Sequence, residues 1–238
     1  MVRRKVTARG MRIWLSILAV LLLNGVCGCE KEGPETRKSV MEQETGMAKD
    51  DEEMSQTEKG YDLPMDEKEK AEAETDCGKV MSLIKDIYVK ADKGDSINVV
   101  VPQEIIEQMK SKVKETGQPV QTTDYQDDMD NYRKMDSFLK NCQRGIAGQL
   151  VSYKVCFDGS VSREKYIFDG TDLFLLGTKA VWIEAEDEKY DSGIASFSYN
   201  RVKEWEYTKE GWFCYELCVP EPPEVTEIVD GSCRIRVR

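Results

Sequence analysis

The sequence predicts an α+β fold for residues 65–220, three helices packed on a curved antiparallel meander sheet. Three observations carry that expectation. Between residues 77 and 142 apolar side chains recur three and four apart, the period of a helix with one buried face. After Gly145 they alternate, the period of a strand. Turn signals then recur at Asp158-Gly159, Asp169-Gly170, Asp191-Ser192-Gly193 and Lys209-Glu210-Gly211, the punctuation of a meander.

The first helix begins near Met65, with Cys77, Val80, Met81, Ile84, Ile87, Tyr88 and Ala91 as its apolar stripe. Acids crowd its first turns, Lys90 and Lys93 stand at its end, and Gly94 suits the position just past it, in agreement with dipole and capping chemistry. A second helix runs from about Pro102 to Thr116, with Ile105, Ile106, Met109 and Val113 inward and Gly117 and Pro119 ending it. The third spans roughly Asp128 to Arg144. Its stripe is Met129, Tyr132, Met135, Phe138, Leu139 and Cys142, and Asp128 or Asp130 is the expected cap.

Strands are expected near 148–157, 161–168, 172–186, 194–207 and 211–219, before Pro220, Pro222 and Pro223 stop the sheet. Leu173, Phe174, Leu175 and Leu176 are apolar on both faces of their strand, so each side needs cover: helices on one, and a cavity, a partner or sheet curvature on the other. The element order, with the segment IYVKADKGDSINVVVPQEI, resembles cone-shaped folds of the nuclear-transport-factor-2-like or cystatin-like kind. That resemblance implies a cone mouth suited to a small apolar ligand. Residues 221–238 read as a short β tail around Asp230-Gly231, which either pairs back onto the domain or opens a second, truncated module.

At the other end, Arg3, Arg4, Lys5, Arg9 and Arg12 precede an apolar run from Ile13 to Leu23, the plan of a signal peptide. The run is about 11 residues, short of the ~20 that span a bilayer. Val26-Cys27-Gly28-Cys29 follows, and resembles the lipobox of bacterial lipoproteins, in which the cysteine after a small residue receives diacylglycerol. The resemblance implies residues 1–28 as signal peptide and Cys29 as the lipid attachment, because bulky Val26 before Cys27 suits the protease poorly. Residues 29–64 carry one aromatic, Tyr61, and cannot bury enough apolar area to offset chain entropy, so they read as a disordered acidic tether. The whole chain has 34 basic and 45 acidic residues, a net −11; beginning at Cys29 it holds 29 against 45, or −16. Such a surface repels nucleic acid and anionic headgroups alike, leaving membrane residence to the lipid.

The motifs YDLPMDEKEKAEAETDC, FDGTDLF and GWFCYELCVPEPPEVTEIVDGSC look like those of a family of uncharacterised lipoproteins, a domain of unknown function, from Gram-positive anaerobes whose members are longer. That resemblance covers residues 25–238 and implies location only.

Chemistry is bounded by subtraction. The chain has no histidine, so no Ser-His or Cys-His nucleophile can form. No cofactor and no metal is expected: Cys214 and Cys218 lack a second pair at zinc-finger spacing, and the run from Asp124 to Asp130 lacks the glycine and terminal glutamate of a calcium loop. Cys77, Cys142, Cys156, Cys214, Cys218 and Cys233 make an even six in the exported part, open to a disulfide framework or to buried thiols. Trp182 with Glu184 and Glu186 is the candidate ligand or partner surface. The expectation is a lipid-anchored extracytoplasmic module, non-enzymatic, that binds an envelope protein. Its alternatives are a small-ligand receptor using a cone cavity and a surface hydrolase using carboxylates.

Overall fold

The computed structural model describes residues 58–94, 99–123, 128–185, 189–220 and 231–238. Its elements are α1 (Glu67–Lys90), α2 (Gln103–Lys114), β1 (Val120–Thr122), α3 (Arg133–Cys142), β2 (Gly148–Val155), β3 (Val161–Phe168), β4 (Leu173–Ala185), β5 (Lys189–Tyr207), β6 (Trp212–Leu217) and β7 (Ser232–Arg236). The seven strands lie in chain order in one sheet that curls into a half-barrel. Among the described residues only the β1·β2 pairing is parallel; the rest are antiparallel. The α+β class therefore holds, with one strand more at the start than the alternation showed. Three-residue β1 is too short to display a period.

Local chemistry sets the helix ends. The Asp66 carboxylate accepts from the Glu69 N–H at 2.7 Å, which starts α1. The helix ends at Ala91, whose backbone is already extended, and not at Gly94. Lys93 explains the difference: its ammonium donates to the Tyr88 and Ala91 carbonyls at 3.0 Å each, supplying the terminal oxygens with a donor. Helix α3 starts five residues later than its apolar period suggested, and neither Asp128 nor Asp130 caps it. Asp130 instead exchanges backbone hydrogen bonds with Val120, and its carboxylate pairs with Lys114 at 2.7 Å. Asn131 then turns the chain with a positive φ of 53°, its side-chain amide donating to the Lys114 and Gln118 carbonyls.

Strand β3 falls on its expected span, whereas β5 begins at Lys189 and carries Asp191-Ser192-Gly193 inside it rather than at a turn. Residues 60–63, assigned by composition to the tether, are hydrogen-bonded to β5: Arg201 N–H donates to the Gly60 carbonyl at 2.7 Å and Leu63 N–H to that of Tyr199 at 2.8 Å. Backbone pairing of this kind leaves no trace in composition. Sequence positions 1–57, with the Cys29 and signal-peptide expectations, lie outside the described residues.

Curling divides the interior in two. Register shifts at Lys179/Ala180 and at Val202/Glu204 bend the long strands, as bulges do. One core lies under α1 and α2, where Val80, Ile84, Ile106 and Met109 meet Val155, Val161 and Ala180. The second fills the other face, where Leu139 of α3 packs with Tyr166, Leu173, Leu175, Phe213 and Ile235. Both faces of β4 are thereby covered, one by helix and one by the sheet's own curvature. Strand β7 closes this second core by pairing with β6 from Ser232 to Arg236.

Candidate functional site

Trp182 is an aromatic on a strand, and β4 aims it at the end of α1. Its indole stacks on Tyr88 with ring centroids 4.6 Å apart and planes 15° apart, while Tyr190 of β5 meets Tyr88 edge-on at 5.3 Å. The indole N–H donates to the Gly159 carbonyl at 2.9 Å. Lys93 lies 4.8 Å from the Tyr88 ring centre and 5.0 Å from that of Tyr190, a cation over two aromatic faces. One face of the indole is thus already occupied and its donor satisfied. The cluster plugs the end of the first core more than it offers a platform to sugar. Glu184 lies exposed beside it, and burial first, then Tyr190, Asp158 and Glu184, push the Tyr88 hydroxyl up to about 12. The Glu186 side chain falls outside the described residues.

A second constellation escaped the sequence reading. Arg163 and Lys165 point from β3 to α1 and are almost wholly buried, Arg163 at 0% exposure. Arg163 donates twice to Asp76, at 2.9 and 3.1 Å, and once to Glu72 at 3.2 Å; Lys165 donates to both Glu69 oxygens, at 2.7 and 2.9 Å. Glu69, Glu72 and Asp76 stand at i, i+3 and i+7, one stripe of α1. The signal was present: a helix with an acidic stripe upstream of a strand reading Arg-Glu-Lys. Burial, then Asp76, raises the nearby Tyr153 to about 12, and burial raises the Cys77 thiol to about 11.

The opposite face of β3 holds a smaller network. Glu164 accepts from Lys154 at 2.9 Å and from the Tyr166 hydroxyl at 2.7 Å. That carboxylate holds Lys154 charged and above its ordinary range, while burial raises Tyr166 and Tyr215 well above theirs. The six cysteines from Cys77 to Cys233 stand as free thiols: Cys77 and Cys142 are buried, and Cys156, Cys214, Cys218 and Cys233 half-buried. No group of three or more metal-ligating side chains occurs among the described residues.

Taken chemically, these networks hold charges still. Burial pushes these tyrosines and thiols up, so they stay protonated at pH 7, and hydrogen bonds hold the Asp136 and Asp158 carboxyls down, so they stay charged. No helix among the described residues is long and apolar enough to cross a membrane.

The chain belongs to a family of unknown function, DUF6070, whose pattern matches residues 70–238. No curated protein and no solved structure matches it.

Proposed function

We propose that this member of the DUF6070 family is a lipid-anchored extracytoplasmic binding module, held at the membrane by diacylglycerol on Cys29 and recognising a partner protein through its folded domain. The observation that carries the anchor is the coincidence of five basic residues, an apolar run too short to span, and Gly28-Cys29 at its end. Two acyl chains give stable anchoring where one is marginal. Support for a binding module comes from the ion pairs of Arg163 with Asp76 and Glu72 and of Lys165 with Glu69, which fix the long helix on the sheet as a rigid scaffold. The half-barrel interior is filled by Tyr166, Phe213 and Leu173, which favours the partner-protein reading over a receptor with a cone cavity.

Fractionation and intact mass of the protein expressed in a bacterium with a lipoprotein pathway test the proposal. Wild type should sit in the membrane fraction with a diacylglyceryl increment on Cys29. Cys29→Ser should release it, and Cys27→Ser should not. Equal retention of both variants overturns the site; release of wild type without added lipid overturns the anchor.

A further inference from the structure

Strand β2 is paired along its whole length on one side and along part of it on the other. Strand β3 takes Gly148 to Val155, whereas β1 takes only Tyr153 to Val155. Pro119 ends the shorter ladder: its carbonyl accepts from Tyr153 N–H at 2.9 Å, and it has no N–H to give to Val151. Alternation fixes which groups are left over. Cys156 N–H donates to the Ser160 carbonyl in the turn to β3, so even-numbered residues face β3 and odd-numbered ones, Tyr153 among them, face away. The backbone groups of Gln149 and Val151 therefore point to the unpaired side, with no partner among the described residues.

A groove of about 500 Å³ runs along this stretch, between residues 146–150 and one flank of α3. No residue of β3 lines it, so it opens on the side that β3 leaves free. Phe138, Leu150 and exposed Ile146 give it an apolar floor. Arg133 and Lys134 stand over it, and the Lys134 ammonium reaches the Gln118 side-chain carbonyl at 3.5 Å, beside Pro119, where β1 begins. Neither cation has a carboxylate partner among the described residues. The acid of this helix, Asp136, lies on the other flank with Lys140, Tyr207 and Arg238. No acid lines the groove, although the chain holds 45 acids against 34 bases, and the clefts beside Glu204 and Glu216 and beside Glu74 have the opposite sign.

We infer that this groove receives an extended acidic segment of a partner protein, which adds to the sheet beside Gln149 and Val151 in line with β1. Its carboxylates meet Arg133 and Lys134, and an apolar side chain covers Phe138, Ile146 and Leu150. Open backbone groups beside a helix are the arrangement in which a peptide extends a sheet. Charge selects the occupant, since unpaired cations attract acid, whereas two copies meeting groove to groove would set cation against cation. An edge of two free residues offers few backbone bonds, so recognition falls to the side chains. The inference rests on the binding-module reading and names its surface and the partner's chemistry.

The test is residue-resolved hydrogen exchange on the full lipidated chain in neutral-lipid nanodiscs, with acetylated, amidated Glu-Thr-Val-Thr-Val-Thr-Glu as probe. As a strand this peptide sets Glu, Val, Val and Glu on one face in either direction. In the free chain Gln149 and Val151 should exchange quickly, and Leu150 and Ser152, which face β3, slowly. The probe should slow the first pair about tenfold or more and leave the second unchanged. The same peptide with lysine for glutamate, or with every Val and Thr N-methylated, should not. Arg133→Glu combined with Lys134→Glu should reverse the preference, so that the lysine peptide protects Gln149; both side chains are exposed, and circular dichroism should be unchanged. Edge amides already slow in the free chain, protection that grows with protein concentration, equal protection by either control peptide, or an unreversed preference in the double variant would each overturn the inference. Protection by the probe on another face would overturn it too, while leaving the binding-module reading in place. The anchor is read separately, by the mass of the Cys29 peptide.

Discussion

Arg163 is the residue on which the α1–sheet contact turns. A guanidinium at 0% exposure is tolerable only while Asp76 and Glu72 neutralise it, and the acids, at 26% and 44% side-chain exposure, still reach water. Losing an acid therefore harms more than its exposure suggests, because the cation left behind cannot rehydrate. Asp76→Ala should lower unfolding free energy by about 3 kcal/mol, and Glu72→Ala by clearly less, since Lys165 keeps Glu69. Urea midpoints check the order; equal effects would show that the double donation to the one Asp76 oxygen is immaterial. Asp136 offers a pH test. Burial opposes its carboxylate, but hydrogen bonds from Lys140 and Tyr207 at 2.7 Å overcome this and lower its pKa. A folded pKa below the unfolded one contributes stability that is present at neutral pH and lost as pH falls from about 4 through the depressed value. Stability of Asp136→Asn should accordingly fall less steeply with acid below about pH 4 than that of wild type, measured by thermal midpoints across the acid limb.

At the scale of elements, the helix stripes were legible because their signal is local: Cys77, Val80, Met81, Ile84 and Tyr88 are all buried where the period put them. What was illegible is pairing at a distance. Asp191-Ser192-Gly193 reads as a turn since nothing local says that β4 continues opposite it, and the acidic stripe of α1 reads as solvent-facing until β3 supplies Arg163 and Lys165. The turn at Asp158-Gly159 was legible, but its reason is tertiary. Gly159 has φ +76°, and a Cβ there would lie 2.6 Å from the Tyr88 ring, against which Trp182 stacks while donating to the Gly159 carbonyl. Gly159→Ala should therefore cost about 2–3 kcal/mol, the left-handed backbone and the displaced ring adding together, and should shift tryptophan emission toward the red as the stack opens. An unchanged spectrum with lowered stability would mean that strain alone acts and that the aromatic plug tolerates the turn's movement.

For the whole molecule, Trp182 was recoverable from sequence as an aromatic among acids, yet its role depends on Tyr88, far away in the chain, covering its face. The same dependence makes the half-barrel sensitive at β7. Ile235 and Val237 are buried at 3% and 0% exposure in the second core, and Val237 N–H donates to the Gly211 carbonyl at 2.9 Å. Gly211 is held at φ +88°, with room for no Cβ, since one would approach the Arg238 carbonyl oxygen to 2.6 Å. Ending the chain at Pro220 should withdraw both side chains and leave β6 as a bare edge over Phe213 and Tyr215. At about 1.5–3 kcal/mol for each buried aliphatic, the loss is about 3–6 kcal/mol, a large part of the roughly 5–15 kcal/mol that holds a domain together. A lower urea midpoint and new binding of a hydrophobic dye are the expected outcome. Ile235→Ala should reproduce part of the effect with the strand's backbone intact, because it deletes the core contact alone. If truncation destabilises and Ile235→Ala does not, the backbone ladder of β7 carries the contribution and its buried side chains are incidental.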